Sequence, residues 1–362
     1  MYTIEDKNEK YIEMAEGENK MLVPSRAAII VDDESTITTV KTIASRRTLA
    51  SIDTSTPPPP HDYSQDYLTL VPISADTTFK FSGNTIDYSI DSGETWTSLP
   101  SNTATPSVGV GDKIMFKASG LTPTSNSGIG RFSATSEFDV EGNIMSLAYS
   151  DDFSGQTSLS GKSYAFLGLF SGSTVVSAEN LSLPATTLAI GCYQSMFVGC
   201  SGLTTAPELP ATTLADECYK SMFQGCTSLT TAPQLLATAL TQYCYEYMFN
   251  GCTALTTAPS VLPATTLASG CYLHMFRNCT SLTVAPQLPA TTLNINSYGS
   301  MFRDCKSLNS VTCLATDISA INCTGAWLAG VSSSGTFTKA ASMESWTRGI
   351  AGIPNNWTVV DA

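Results

Sequence analysis

A Met-Phe step recurs at Met196, Met222, Met248, Met275 and Met301, at intervals of 26, 26, 27 and 26 residues. Weaker copies flank the run: Leu169-Phe170 lies 27 residues before Met196, and Trp327-Leu328 lies 26 after Met301. No other feature restricts the possible folds so sharply. A fixed period of this length predicts five clear coils with a degenerate one at each end, every coil stacked on the next. One unit alone offers too few side chains for burial to offset the entropy of ordering it, so the coils are expected to fold only against one another.

Residues 209–234, LPATTLADECYKSMFQGCTSLTTAPQ, show the unit best. Cys218, Met222 and Cys226 are four apart, and Tyr219 and Phe223 repeat the step, which predicts one short helical stretch with an apolar face. The position after it is Gly199, Gly225, Gly251, Asn278 and Asp304 in successive coils, residue types that tolerate the left-handed conformation ending a helix. Leu203, Leu229, Leu255, Leu282 and Leu308 follow in register, and then a Leu-Pro-Ala-Thr-Thr-Leu segment. Those β-branched, Pro-bounded pieces predict one short parallel strand per coil, or two, paired between coils rather than within one. The extra residue between Met248 and Met275 falls at Ser260-Val261, where a loop can absorb it.

This order of Leu-Pro, Thr-x-Leu, an aromatic-centred turn, x-x-Cys and x-x-Leu resembles the BspA-like (Treponema-type) leucine-rich repeats over about residues 160–330. It departs from the usual motif in having Met-Phe where Ala-Phe is common and in adding the first cysteine column. The resemblance implies a leucine-rich-repeat solenoid, of a kind abundant in surface proteins of gut Bacteroidales and in proteins of their bacteriophages. It implies an adhesive or structural surface more than any particular activity.

The eleven cysteines follow the same period. Cys192, Cys218, Cys244, Cys271 and Cys323 form one column, with Ser297 filling the gap; Cys200, Cys226, Cys252, Cys279 and Cys305 form a second, and Cys313 stands outside both. The leading reading is a ladder of small buried thiols. Disulfides between neighbouring coils are the second reading and zinc the third, with no C-x-x-C pair and only His61 and His274 as histidines.

Residues 1–66 are a different kind of chain, holding 19 of the 49 charges. Residues 1–20 are expected to form a short polar helix or to stay extended. Two β-rich segments follow, residues 26–33 and 36–52, with Arg46-Arg47 in the second, and the tetraproline at residues 57–60 is a stiff spacer. The expectation is an N-terminal anchoring arm, residues 1–66, with Arg26, Ile29, Ile30, Val31, Arg46 and Arg47 as candidate anchor residues; a solubilising tail is the alternative. Residues 67–150 change to period two: Phe79 and Phe81, then Ile86, Tyr88 and Ile90, a turn at Asp91-Ser92-Gly93, Trp96 on the return, and Ile114 and Phe116. This predicts an immunoglobulin-like β-sandwich that caps the first coil. The repeat itself spans residues 151–330, and residues 331–362, with Trp346 and Trp357, are expected to close its far end. The whole chain should therefore be mainly β with short helices.

The net charge of −13 and the absence of a basic patch argue against a nucleic-acid partner. No apolar run is long enough for membrane insertion. The acidic start of the chain lacks the apolar region of a secretory signal, which is expected of a protein assembled in a host cytoplasm rather than exported. There is no Gly-rich phosphate loop, no metalloprotease helix and no G-x-S-x-G, and no enzymatic activity and no cofactor are expected. His274 occupies a position that varies between coils and reads as a surface residue; acidic pairs such as Asp216-Glu217 read as a solvated face. The threonine pairs, 212–213, 265–266 and 291–292 with 204–205, 230–231 and 256–257, are expected to stack as ladders on a nearly neutral flank, since residues 183–322 carry only ten charges. Specificity is expected at Gln194, Lys220, Glu246, Leu273 and Gly299, the variable positions of the predicted helical face.

These features lead to the expectation of a non-catalytic bacteriophage virion protein, a head fibre or capsid decoration. The arm would bind capsid or other virion proteins, and the repeat would meet a host-surface protein or glycan. A homo-oligomer is expected, trimer or dimer, at the virion surface. A tail-fibre adhesin and a bacterial cell-surface adhesin remain as alternatives.

Overall fold

The computed structural model describes residues 61–118, 128–349 and 352–362, together with the backbone of five strands among residues 1–60. The described chain is mainly β with few helices, and it divides into two compact units, Met1–His61 and Asp62–Ala362.

In the first unit β1 (Thr3–Asn8), β2 (Tyr11–Glu16) and β3 (Asn19–Pro24) form an antiparallel sheet, and β4 (Ala27–Ile30) pairs with β5 (Thr39–Thr42). Of the two expectations for residues 1–20, a short helix or an extended chain, the strands follow the second. The period-two alternation of Ile12 and Met14 with Glu13 is the signal that the polar composition obscured. Ile29 and Ile30 lie in β4 opposite Val40 and Thr39. Arg26, Val31, Arg46, Arg47 and the tetraproline lie outside the described residues.

The second unit begins with β6 (Leu68–Pro72), β7 (Phe79–Gly83), β8 (Ile86–Ser89), β9 (Thr97–Leu99), β10 (Ile114–Lys117), β11 (Gly130–Ala134) and β12 (Phe138–Asn143), followed by one helical turn, α1 (Ser146–Tyr149). Strands β7 and β11 form a separate pair. Their rings meet those of the larger sheet edge-on: Phe79 lies 5.2 Å from Phe138, and Phe132 lies 4.9 Å from Phe116. Between β8 and β9 the chain turns through Ser92 and Gly93, both at positive φ, on a web of bonds to Asp91. The Asp91 carboxylate accepts from the Ser89 and Thr95 hydroxyls at 2.6 Å and from the Thr95 amide at 2.9 Å. Ile90 falls outside β8 and is exposed, because the turn begins one residue earlier than the alternation suggests.

Strand β12 is the point of handover. It pairs antiparallel with β6 on one side and parallel with β13 (Val175–Ser177) and β14 (Leu181–Ser182) of the first coil on the other. Single parallel bridges then link coil to coil, among them Ser177 to Thr205, Thr187 to Thr213 and Thr231 to Thr257. At the far end β15 (Ser310–Cys313), β16 (Thr336–Lys339) and β17 (Thr358–Asp361) form a parallel sheet with β17 outermost. Buried side chains run without a break from Leu68 to Trp357.

The expected helix does not form in any coil. Residues 191–199 are instead a ribbon of turns in which alternate amides do different things. Cys192, Gln194, Met196, Val198 and Cys200 donate to the carbonyl three residues back; Gly191, Tyr193, Ser195, Phe197 and Gly199 donate to Asp216, Cys218, Lys220, Met222 and Gln224 of the next coil, at 2.8–3.0 Å. The pattern repeats from the ribbon at 164–172 through to the one at 296–304, and the ribbon at 322–330 keeps the local turns at Cys323, Gly325, Trp327 and Ala329. Every fourth residue is left-handed: Gly191, Ser195 and Gly199, then Glu217, Ser221 and Gly225, then Tyr243, Tyr247 and Gly251. An α-helix would satisfy its amides internally and leave none for the neighbouring coil. It would also rotate a strict four-residue repeat by about 80° over eight residues, whereas this ribbon has a period of four and keeps Cys218, Met222 and Cys226 on one buried line.

Two files of rings follow from this registry. Phe132 of β11 starts one that continues through Phe170, Phe197, Phe223, Phe249, Phe276 and Phe302 at 5.4–5.7 Å. The other runs Phe166, Tyr193, Tyr219, Tyr245, Tyr272, Tyr298 and Trp327, and Trp346 stacks on its end at 5.5 Å. The rings thus join the N-terminal sheets and the C-terminal segment to the coils between them.

Gly270 shows how closely the coils approach: with φ of 62°, it lies under the Tyr243 ring, which an added Cβ would meet at 2.4 Å. Gly270→Ala is expected to cost about 1–2 kcal/mol from backbone strain alone, with the ring clash added; a companion Tyr243→Ser should recover the clash portion in a denaturant double-mutant cycle, and strict additivity would refute the contact. The Asp91 carboxyl, held down to about 2 first by the Ser89 hydroxyl and then by Thr95, should titrate in NMR spectra near that value. Because its folded pKa lies below the ordinary 3.8, the stabilisation is present above about pH 4 and lost as pH falls towards 2; a midpoint near 3.8 would show that the turn does not form in solution.

Candidate contact surface

The five variable positions singled out in the sequence do form one file along the coils. The carbonyls of Gln194, Lys220, Glu246, Leu273 and Gly299 accept from the left-handed residue of the preceding coil. Their side chains, however, are largely engaged with the protein. Lys220 Nζ sits 3.0 Å from the Glu246 carboxylate, 3.8 Å from that of Glu217 and 5.5 Å from the centre of the Tyr243 ring. Burial pulls the Lys220 pKa down, but the hydrogen bond and charge of Glu246 outweigh it and leave it raised. Glu246 is 8% exposed, Leu273 lies over the buried Gly299, and the Gln194 Oε1 is buried with no hydrogen-bond partner among the described residues. The helical face that was to present them does not exist, so the file is turned inward more than expected.

Threonines stand over threonines at Thr187–Thr213 and Thr231–Thr257, and their hydroxyls fasten one coil to the next. Thr204 Oγ1 donates to the Val176 carbonyl at 3.0 Å, and Thr256 Oγ1 to that of Thr230 at 3.3 Å. The second cysteine column does the same inside: the thiols of Cys200, Cys226, Cys252, Cys279 and Cys305 donate to the carbonyls of Phe170, Phe197, Phe223, Phe249 and Phe276 at 2.9–3.1 Å. All eleven cysteines are free and buried. Burial pushes the Cys192, Cys252, Cys271, Cys305 and Cys313 thiols up to about 12.

A polar cluster missed by sequence reasoning lies in the middle of the repeat. Tyr247 and His274 occupy the central left-handed position of successive ribbons, with φ of 57° and 58°, and their rings stack at 4.5 Å. The same position holds Ser195, Ser221 and Ser300 elsewhere. Three residues on, Arg277 and Arg303 follow each other in adjacent coils where Val198, Gln224 and Asn250 stood before. Arg303 Nε lies 3.4 Å from the Asp304 carboxylate, whereas Arg277 has no ion pair among the described residues. His274 Nδ1 and Arg277 Nε are both buried without a hydrogen-bond partner among those residues. Burial, and then the charges of Arg277 and Arg303, hold the His274 pKa below its usual range, so the ring is neutral near pH 7. His274 is thus half-buried and packed, not the free surface residue expected. The available signal was the change of column type, from serine to two aromatics in consecutive coils.

Among the described residues no group of three or more His, Cys, Asp or Glu side chains is placed to hold a metal ion, and no helix is long and apolar enough to cross a membrane. The thiol environment predicts that a thiol reagent at pH 8 labels none of the eleven cysteines in the folded protein within the time that labels all of them in denaturant; rapid labelling of the native state would refute the buried columns. Comparisons of the chain with protein-family models, with curated proteins and with solved structures found no match.

Proposed function

We propose that this chain is a non-catalytic bacteriophage virion protein, a head fibre or capsid decoration, whose residues 1–66 attach it to the particle and whose repeat presents a contact surface. In this reading residues 67–150 are an immunoglobulin-like sandwich, residues 151–330 a BspA-like leucine-rich-repeat solenoid, and residues 331–362 its cap. The observation that carries the proposal is the pair of ring files, one entering the coils from Phe132 and the other leaving them at Trp346. A core continuous across these segments favours a stiff display element over a hinged enzyme. The separate, charge-rich unit at Met1–His61 supports an attachment role at the other end of the chain. Attachment through a small unit gains from multiplicity, which favours a trimer or dimer.

Deleting residues 1–56 should leave a folded protein with an unchanged melting transition that no longer enters particles during infection. Retained incorporation would refute the attachment role. Cryo-EM of the particle separates head from tail placement, and recovery from the outer membrane of uninfected cells, with none in purified particles, would replace the virion reading by that of a cell-surface adhesin.

A further inference from the structure

The cluster at Tyr247, His274, Arg277 and Arg303 has the marks of a site for a ligand. Left-handed backbone costs a bulky residue roughly 1–2 kcal/mol, and the other coils hold a small residue there, Gly168, Ser195, Ser221, Ser300 or Ala326, while here two aromatic residues occupy it in consecutive coils. Their stack stands as a step between Ser221 and Ser300, the residues at the same place in the coils on either side. Next to it two buried polar atoms three residues apart, His274 Nδ1 and Arg277 Nε, lack hydrogen-bond partners among the described residues.

Charge narrows the ligand. Residues 183–322 contain only four basic side chains, Lys220, Arg277, Arg303 and Lys306, and Lys220 is matched by Glu246. Arg277 and Arg303 lie in successive coils with Asp304 opposing one of them, which leaves a single positive charge uncompensated between them. A polyanion would meet a chain of net charge −13 around that one cation. A ligand with one carboxylate matches the local balance, and a guanidinium accepts that group in a forked pair. Beside it the Asn278 side-chain amide donates to Asn250 Oδ1 at 3.3 Å, and the remaining amide groups suit neutral hydroxyls.

We propose that Tyr247, His274, Arg277 and Arg303 bind an acidic sugar residue, its single carboxylate paired with Arg277 and its ring laid against the Tyr247–His274 step. This deepens the contact role proposed above and rests on it. Uronic and sialic acids share that chemistry.

The test measures binding of the full-length protein to trigalacturonate and to sialyllactose by calorimetry at low salt, with the methyl-esterified trigalacturonate and lactose as neutral counterparts. One acidic probe should bind and its neutral counterpart should not. Arg277→Gln, which installs the side chain found at position 224, should weaken binding about tenfold or more. His274→Ser, the residue of three other coils, should also weaken it, and both variants should keep the parent's melting transition. Equal binding of acidic and neutral probes, no binding of either acidic probe, or unchanged affinity in folded Arg277→Gln would overturn the proposal. The wider reading is separated by adsorption to host cells: wild-type affinity of the intact Arg277→Gln protein for cells would sink this site alone, whereas absence of adsorption by the parent protein would remove the contact role itself.

Discussion

The division of labour between alternate amides governs the repeat. One amide in two closes a local turn, and the other reaches the next coil, so every backbone donor of the ribbon is satisfied only when a neighbour is present. The left-handed residue at every fourth position is what allows the switch. It costs backbone strain at residues such as Glu217, Tyr243 and His274, offset by about 1 kcal/mol for each inter-coil bond and by burial of a Tyr, a Met and a Phe per coil. Ring files, thiol columns and threonine fasteners all inherit their alignment from that ladder, because a fixed offset of 25 or 26 residues per bond sets each side chain over its counterpart.

The period and the membership of the columns were legible in the sequence, because a stacked unit must repeat its buried residues at constant spacing. The conformation of the unit was not. A spacing of four satisfies a helical face over one or two turns, and only the strictness of the four-residue step, kept from Cys192 through Met196 to Cys200, separates a ribbon from a helix that turns every 3.6 residues. Glycine marked one left-handed column correctly at Gly199, Gly225 and Gly251. Tyr243, Tyr247 and His274 gave no such signal, since bulky residues are rarely chosen for positive φ and are held there by inter-coil bonding invisible to local propensity. The same error turned the file at Lys220 and Glu246 outward in the sequence reading, where the structure pairs them with each other.

Repetition also makes departures readable. Against seven ribbons with a common left-handed step, a residue that breaks its column stands out as something the fold did not require. Lys220 and Glu246 break theirs together and neutralise each other. Tyr247, His274, Arg277 and Arg303 break theirs together and leave polar atoms open. The variation at the His274 position was legible in the sequence; the closeness of Arg277 and Arg303, whose charges act on its ring, was not.

The handover at β12 has an evolutionary corollary. Because the first coil meets its predecessor through the same parallel edge that each coil offers its successor, a whole unit can be duplicated or lost between β14 and β15 without disturbing either terminus of the stack. Recombination among near-identical copies therefore adjusts reach in increments of one ring spacing, 5.4–5.7 Å along the phenylalanine file, and length becomes a heritable quantity that can drift while the architecture stays fixed.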